Sequence, residues 1–251
     1  MSDDTQTTLP SDAVEVHADA AELVAAAASR FVSVVTAAQA ARGTASVVLT
    51  GGGTGIALLE NVRRFPGAID WSRLDFFWGD ERFVPADDPE RNDLQARRAL
   101  LDHVPVDPAR VHPVAASDGE YPDPVEAAAQ YATAVHAYLT EHGAFDLHLL
   151  GMGGEGHVNS LFPHTDAVRE QHELVVAVTN SPKPPPVRVT LTLPAVARSR
   201  HVVLVVGGAA KADAVAAAIG GAAATDIPAA GAVGTHSTTW LLDQDAAAAL
   251  R

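Results

Sequence analysis

Apolar residues fall along this chain in short continuous runs bounded by glycine and proline, with alanine-rich stretches between them. Short apolar runs closed by turn residues are the pattern of strands covered on both faces. Such runs occupy 46–50, 74–78, 145–150, 174–178, 201–206 and 238–242, with 111–114 and 189–193 as shorter extended segments. The stretches between them predict helices over 18–42, stopped by Gly43, over 56–62 and over 92–104. Further helices are expected over 124–142, with proline at the start and Gly143 as the stop, and over 209–219. Short helices are expected at 194–199 and after a capping Asp243, with 220–235 mostly loop. Strand and helix alternate throughout. The fold class this implies is α/β: a Rossmann-like open, mostly parallel sheet with helices on both faces. There is no linker and no repeat period, so 13–251 reads as a single domain. Residues 1–12, MSDDTQTTLPSD, are polar and acidic and read as a flexible start without the features of a signal peptide.

Composition narrows the chemistry. The chain has no cysteine, which excludes disulfides, thiol catalysis and cysteine-ligated metals. Its formal net charge of −14 argues against nucleic-acid binding, and no uninterrupted apolar run of membrane-spanning length is present. A cytoplasmic protein is expected, and a monomer is the working expectation although nothing in the composition fixes the oligomeric state. With 17 Lys and Arg in 251 residues, any anionic substrate must be held by a local cluster of cations.

Four turns carry the candidate chemistry. After the strand 145–150, Gly151-Met152-Gly153-Gly154-Glu155-Gly156 frees the backbone to approach a ligand, and it delivers His157 and Asn159 at a strand's carboxyl end. A histidine there is placed for acid–base work; taken alone, a loop histidine is more often just a solvated or hydrogen-bonded side chain. Gly51, Gly52, Gly53 and Thr54, between a strand and a helix, form either an anion cradle or a tight turn. Asp80 and Arg82 follow the strand 74–78, in what is either a site or a surface turn closed by an ion pair. Lys183 and Arg188 lie in a proline-rich loop, as a cationic clamp or as solubilising charge. No G-x-S-x-G elbow and no H-x-x-x-H pair is present, which leaves serine-hydrolase and metal chemistry without a motif.

Taken together, VVLTGGGTG, FFWGDERFVP, LHLLGMGGEGHVNSLFP and SPKPPPVRVTLTLP resemble the 6-phosphogluconolactonase family, which shares a fold with glucosamine-6-phosphate isomerase/deaminase. The resemblance implies hydrolysis of 6-phospho-D-glucono-1,5-lactone to 6-phosphogluconate, with a small phosphosugar lactone as partner and no metal or other cofactor. It implies His157 as the catalytic histidine, oriented by Glu155, which stands where the family commonly has aspartate. It implies Arg82 near the ligand and Lys183 with Arg188 as the phosphate-binding pair. Gly51, Gly52, Gly53, Thr54, Asp80, Gly153 and Asn159 are expected to complete the binding surface. Backbone N–H groups of 151–156 are expected to serve an oxyanion. The competing readings are an amino-sugar-phosphate isomerase/deaminase using Asp80 as base, and a sugar-phosphate-binding protein without catalysis.

Overall fold

The computed structural model of the protein describes residues 11–250. Its strands are β1 (Ser11–His17), β2 (Ala45–Leu49), β3 (Leu74–Trp78), β4 (Asp80–Arg82), β5 (Phe145–Leu150), β6 (Val175–Val178), β7 (Arg188–Leu191), β8 (Ser199–Val206) and β9 (Ser237–Asp243). The helices are α1 (Ala20–Arg42), α2 (Gly52–Arg64), α3 (Asn92–Ala99), α4 (Pro124–His142), the single turns α5 (Asp166–Arg169) and α6 (Leu193–Val196), and α7 (Ala212–Ile219).

Six strands form one sheet in the order β1-β9-β8-β5-β2-β3, and every pairing in it is parallel. Alternation along each strand supplies both faces. Val47, Leu49, Val203 and Val205 turn to α1 and α2, whereas Val202, Leu204 and Val206 pack with α7. On that second face, Val48, Phe77 and Phe145 pack with Tyr131 and Val135 of α4. Both faces are thus covered, as an all-parallel sheet requires. By length and composition α1 is apolar enough to cross a membrane, although no uninterrupted apolar run announces it. In the fold its Leu23, Ala27, Phe31 and Val35 are buried in the core.

The structure corrects several expectations. A second, antiparallel sheet, β4-β7-β6, was not anticipated. It makes 80–82, read as a turn after β3 that was either a site or a surface ion pair, into a strand, and it makes Arg188 the first residue of β7 rather than part of the loop. Strand β1 escaped the sequence reading because its valines, Val14 and Val16, face outward on a sheet edge. It begins at Ser11, inside the segment expected to be flexible; residues 1–10 lie outside the described ones. The helix expected over 92–104 ends at Ala99 and continues only as a 3₁₀ turn, Leu101–His103. The segment 111–114 makes one isolated bridge, from Val111 to Phe76. No helix follows Asp243: its carboxylate accepts from Ala246 N, as a cap would, but 244–249 are turns. That carboxylate also accepts from Gly208 N.

The outer edge of β3 ends in a side-chain clamp. The Tyr131 hydroxyl accepts from Trp78 N–H and donates to Trp78 C=O, both at 2.8 Å, in a fully buried setting. Tyr131→Phe leaves both backbone groups unpaired and is expected to cost roughly 1–3 kcal/mol. A urea titration checks this, and an unchanged midpoint contradicts it.

Candidate active site

Because all six strands of the main sheet run the same way, their carboxyl ends share one edge. The chain moves outward from β2 to β3 and then returns to place β5 on the other side of β2. Ligands of open α/β sheets sit at such a switch point. The loops that meet there are 50–55 and 151–157, joined by a hydrogen bond from Gly151 N to Thr50 Oγ1 at 3.2 Å. Gly51 precedes α2 and no side chain caps that helix, so its first N–H groups face the edge of the sheet. Glycine is needed here: a Cβ on Gly51 would stand 2.0 Å from Asn92 Oδ1, and Gly52 has φ +80°.

His157 sits across this opening. Its Nδ1 lies 3.1 Å from Glu155 Oε1, in contact but poorly aligned for a hydrogen bond. The ring leans on Phe162, with centroids 4.5 Å apart. Lys183 Nζ reaches both Glu155 oxygens, at 2.9 and 3.0 Å. Two ionisable groups from two loops, His157 and Lys183, thus share one carboxylate. Burial holds the His157 imidazole below its ordinary pKa, opposed by the charge of Glu155 and reinforced by that of Lys183. Burial alone would raise the Glu155 carboxyl; its own backbone N–H, the Lys183 hydrogen bond and the neighbouring charge outweigh this and hold it below the usual range. The position left for the ring depends on Gly153, where a Cβ would fall 2.0 Å from His157 Nδ1.

The opposite wall is built on Asp80. Its Oδ2 accepts from Ser160 Oγ at 2.6 Å and faces Arg188 Nη1 at 3.6 Å, while Asn92 Nδ2 donates to its backbone oxygen at 2.8 Å. Glu81, fully buried, supports this wall from behind. It accepts from Arg82 N, Asn92 N and Asp93 N at 2.7–2.8 Å, closing the start of α3. Burial pushes its pKa up to about 7 against the pull of Arg91 and those backbone donors. Ser160 has no exposed surface and spends its hydroxyl proton on Asp80, so it is not placed as a nucleophile.

Between these walls lies a cavity of about 190 Å³. Of the residues expected from sequence, Gly51, Gly52, Gly53, Thr54, Asp80, Arg82, Gly153, His157, Asn159 and Arg188 line it. Glu155 and Lys183 do not; they stand behind the imidazole as a pair. Arg188 presents charge to the cavity, but its nitrogens are engaged by the Lys183, Pro184 and Pro185 carbonyls and by Ser160. Besides His157 Nδ1, three lining side chains keep a buried polar atom without a protein hydrogen-bond partner, namely Arg82 Nε, Asn92 Oδ1 and Asn159 Oδ1. The expected oxyanion donors in 151–156 are largely spent: Gly151, Gly153 and Gly156 N–H bond within the protein. Among the described residues no cluster of His, Asp and Glu is arranged to hold a metal ion.

Among the lining residues not named from sequence, Asn92 and Lys211 are the polar side chains that lie outside the glycine turns. Asn92 reaches the site only through the contact of α3 with β4. Lys211 had a signal, because it follows Gly207-Gly208 in a second strand–glycine–helix unit. Its ammonium is held below its ordinary pKa by burial and by the charge of Lys183, with Asp243 acting the other way.

A family model described as glucosamine-6-phosphate isomerases/6-phosphogluconolactonase matches residues 18–240. The chain is 57% identical over 244 residues to the 6-phosphogluconolactonase of Mycobacterium tuberculosis, covering 96% of this chain and 99% of that one. It is 53% identical over 243 residues to the 6-phosphogluconolactonase of Streptomyces coelicolor, covering 94% and 93%. Among solved structures it is similar to the 6-phosphogluconolactonase of Trypanosoma cruzi, with TM-score 0.82, 29% identity and coverage of 97% and 98%.

Gly153→Ala is expected to evict the imidazole into solvent. The His157 pKa, followed by the NMR titration of its Cε1 proton, then rises toward the ordinary value of about 6.5. A titration that does not move places the ring elsewhere.

Proposed function

The chain belongs to the glucosamine-6-phosphate isomerase/6-phosphogluconolactonase family, and within it we propose that this site hydrolyses 6-phospho-D-glucono-1,5-lactone by general-base activation of water. The observation that carries the reading is the pairing of His157 with Glu155 at the mouth of a cavity lined by three cations, Arg82, Arg188 and Lys211. The product is 6-phospho-D-gluconate, and the reaction is the second step of the oxidative pentose phosphate pathway. The substrate is a diffusible phosphosugar, met in the cytoplasm by a monomeric chain.

A δ-lactone needs a nucleophilic water, charge stabilisation at its carbonyl oxygen and an anchor that fixes the ring. Neutral His157 takes a proton from water as the water oxygen attacks the lactone carbon. The tetrahedral intermediate then breaks its bond to the ring oxygen, which receives the proton from the imidazolium. Glu155 orients the ring and stabilises its charged form, and Lys183 keeps Glu155 ionised. General-base assistance of this kind contributes roughly 10²–10⁴ in rate. The 6-phosphate is assigned to the free N–H groups of α2 and to Lys211, with Arg188 supplying charge rather than free donors. Such charge-assisted bonds contribute roughly 1.5–3 kcal/mol each, energy that positions the carbonyl against His157. Arg82 Nε, Asn92 Oδ1 and Asn159 Oδ1, lacking protein partners, suit the sugar hydroxyls.

The isomerase/deaminase reading requires Asp80 as a mobile base. Its Oδ2 is instead tied to Ser160 and faces Arg188, which favours a carboxylate fixed in place.

His157→Ala is expected to lower kcat for the phospholactone by at least about a hundredfold in an assay corrected for spontaneous hydrolysis. Turnover near wild type removes His157 from the mechanism. Because burial lowers the His157 pKa, the base form persists below pH ~6.5, and the acid limb of kcat/KM is expected under that value. Glu155 raises that pKa and Lys183 lowers it. Glu155→Gln removes the first influence and releases the second, so the limb should move to still lower pH while kcat falls; a limb displaced upward contradicts the assigned pair. Lys211→Ala is expected to raise KM for the phosphorylated lactone and leave an unphosphorylated lactone unaffected. Equal losses on both substrates would sink the anchor role.

A further inference from the structure

At the other end of the same strands lies a second cavity, of about 320 Å³, lined by Arg42, Arg200, His201 and His236 together with Asp146. Asp146 and Gly151 sit on one strand-and-loop segment; five residues of extended chain, roughly 17 Å, separate this cavity from the loop that carries His157. None of its lining residues takes part in the site already described.

The charges here do not balance. Arg42 and Arg200 both contact Asp146 Oδ1, Arg200 Nε at 3.3 Å, while Asp146 Oδ2 accepts from Ser46 N at 3.0 Å. One carboxylate therefore answers two guanidinium groups. Arg200 Nε is buried and, being misaligned with Asp146, has no hydrogen-bond partner. His201 Nδ1 is engaged by Ser237 Oγ at 2.9 Å, and the His236 ring meets the His201 ring edge-on with centroids 5.7 Å apart. The remaining cation near His201, Arg30, is paired with Glu15 at 2.5 Å. Val34, Ala37 and Ala38 of α1 give the cavity an apolar wall. In a chain of net charge −14, a pocket holding a surplus guanidinium and two imidazoles is a local reversal of sign.

We propose that this cavity is a second anion site, taking a phosphate or the phosphate group of a small phosphorylated metabolite between Arg200, His201 and His236. A guanidinium recognises a planar pair of phosphate oxygens through parallel N–H donors. Two imidazoles that become donors on protonation complete a tetrahedral group in a way that Asp146, already present, does not permit for a further carboxylate. The Val34 and Ala37 wall leaves room for a small organic remainder. His201 is held below its ordinary pKa by burial and by the neighbouring His236. A bound dianion must oppose both.

Inorganic phosphate, titrated into the full chain, is the probe, and the Cε1 protons of His201 and His236, assigned with His201→Gln and His236→Gln, are the readout. Saturable binding is expected to raise the pKa of both rings by about half a unit or more. Arg200→Gln should abolish the response, while Arg42 still pairs with Asp146 and lactone hydrolysis is unchanged. Should Arg200→Gln fold poorly, Arg42→Gln is the second variant, expected to weaken phosphate several-fold. An unsaturable response, a response of His157 alone, or an equal response in both arginine variants overturns the proposal. Because the readout lies on residues outside the lactone cavity, its failure leaves the hydrolase reading standing, and the failure of that reading does not touch this one.

Discussion

The site depends on one buried carboxylate, that of Asp80. It sits at the junction of the two sheets, since its own strand, β4, pairs with β7 directly after β3 of the main sheet has ended. A charge taken out of water there must be answered by local donors and counter-charge. Ser160 answers from the loop after β5, Asn92 from the first turn of α3 and Arg188 from the first residue of β7. Each belongs to a different stretch of chain, and each also lines or backs the cavity. Such a group adds little net stability by itself, but it admits few alternative arrangements of the segments that meet on it. Glu81 next to it does the same for the start of α3, with both oxygens committed to backbone N–H groups.

On this frame His157 is placed by exclusion as much as by attraction. The imidazole occupies volume that a side chain at residue 153 would fill. Glu155 and Phe162 then fix its edge and its face. Lys183 arrives from the proline-rich loop, where cyclic residues leave little backbone freedom to lose, and it neutralises Glu155 instead of pointing at the ligand. The pair expected to bind phosphate thus divides its work: Lys183 tunes the histidine's partner, and Arg188 balances Asp80 while lending charge to the cavity. Free donors for an anion come from elsewhere, from the N-terminus of α2 and from Lys211.

The arrangement gives the two ends of the sheet different characters. The carboxyl ends carry glycine turns, helix N-termini and His157 with its partner Glu155. The amino ends carry the arginine and histidine cluster around Asp146. The core between them is apolar and rigidly packed through α1, α2 and α4. Both cavities gather cations on a chain that is strongly acidic overall, so each must build its positive potential from a few side chains at short range.

Much of this was written locally. Continuous apolar runs, alanine-rich helices and glycine stops are properties of neighbouring residues, and they set the parallel α/β class and the positions of β2, β3, β5, β8 and α4. The turn 151–157 and the glycines 51–53 were likewise legible, because backbone freedom at a strand's end is a local requirement. What the fold alone decided were the pairings with no period to announce them. Strand β1 shows its valines to solvent, β4 is three residues long and is a strand only because β7 lies beside it, and Asn92 reaches the cavity from a helix whose local pattern says nothing of a ligand. A short or edge strand, or a single polar side chain, gains its energy from a partner distant in sequence. Until that partner is in place, its own neighbourhood holds no trace of the role.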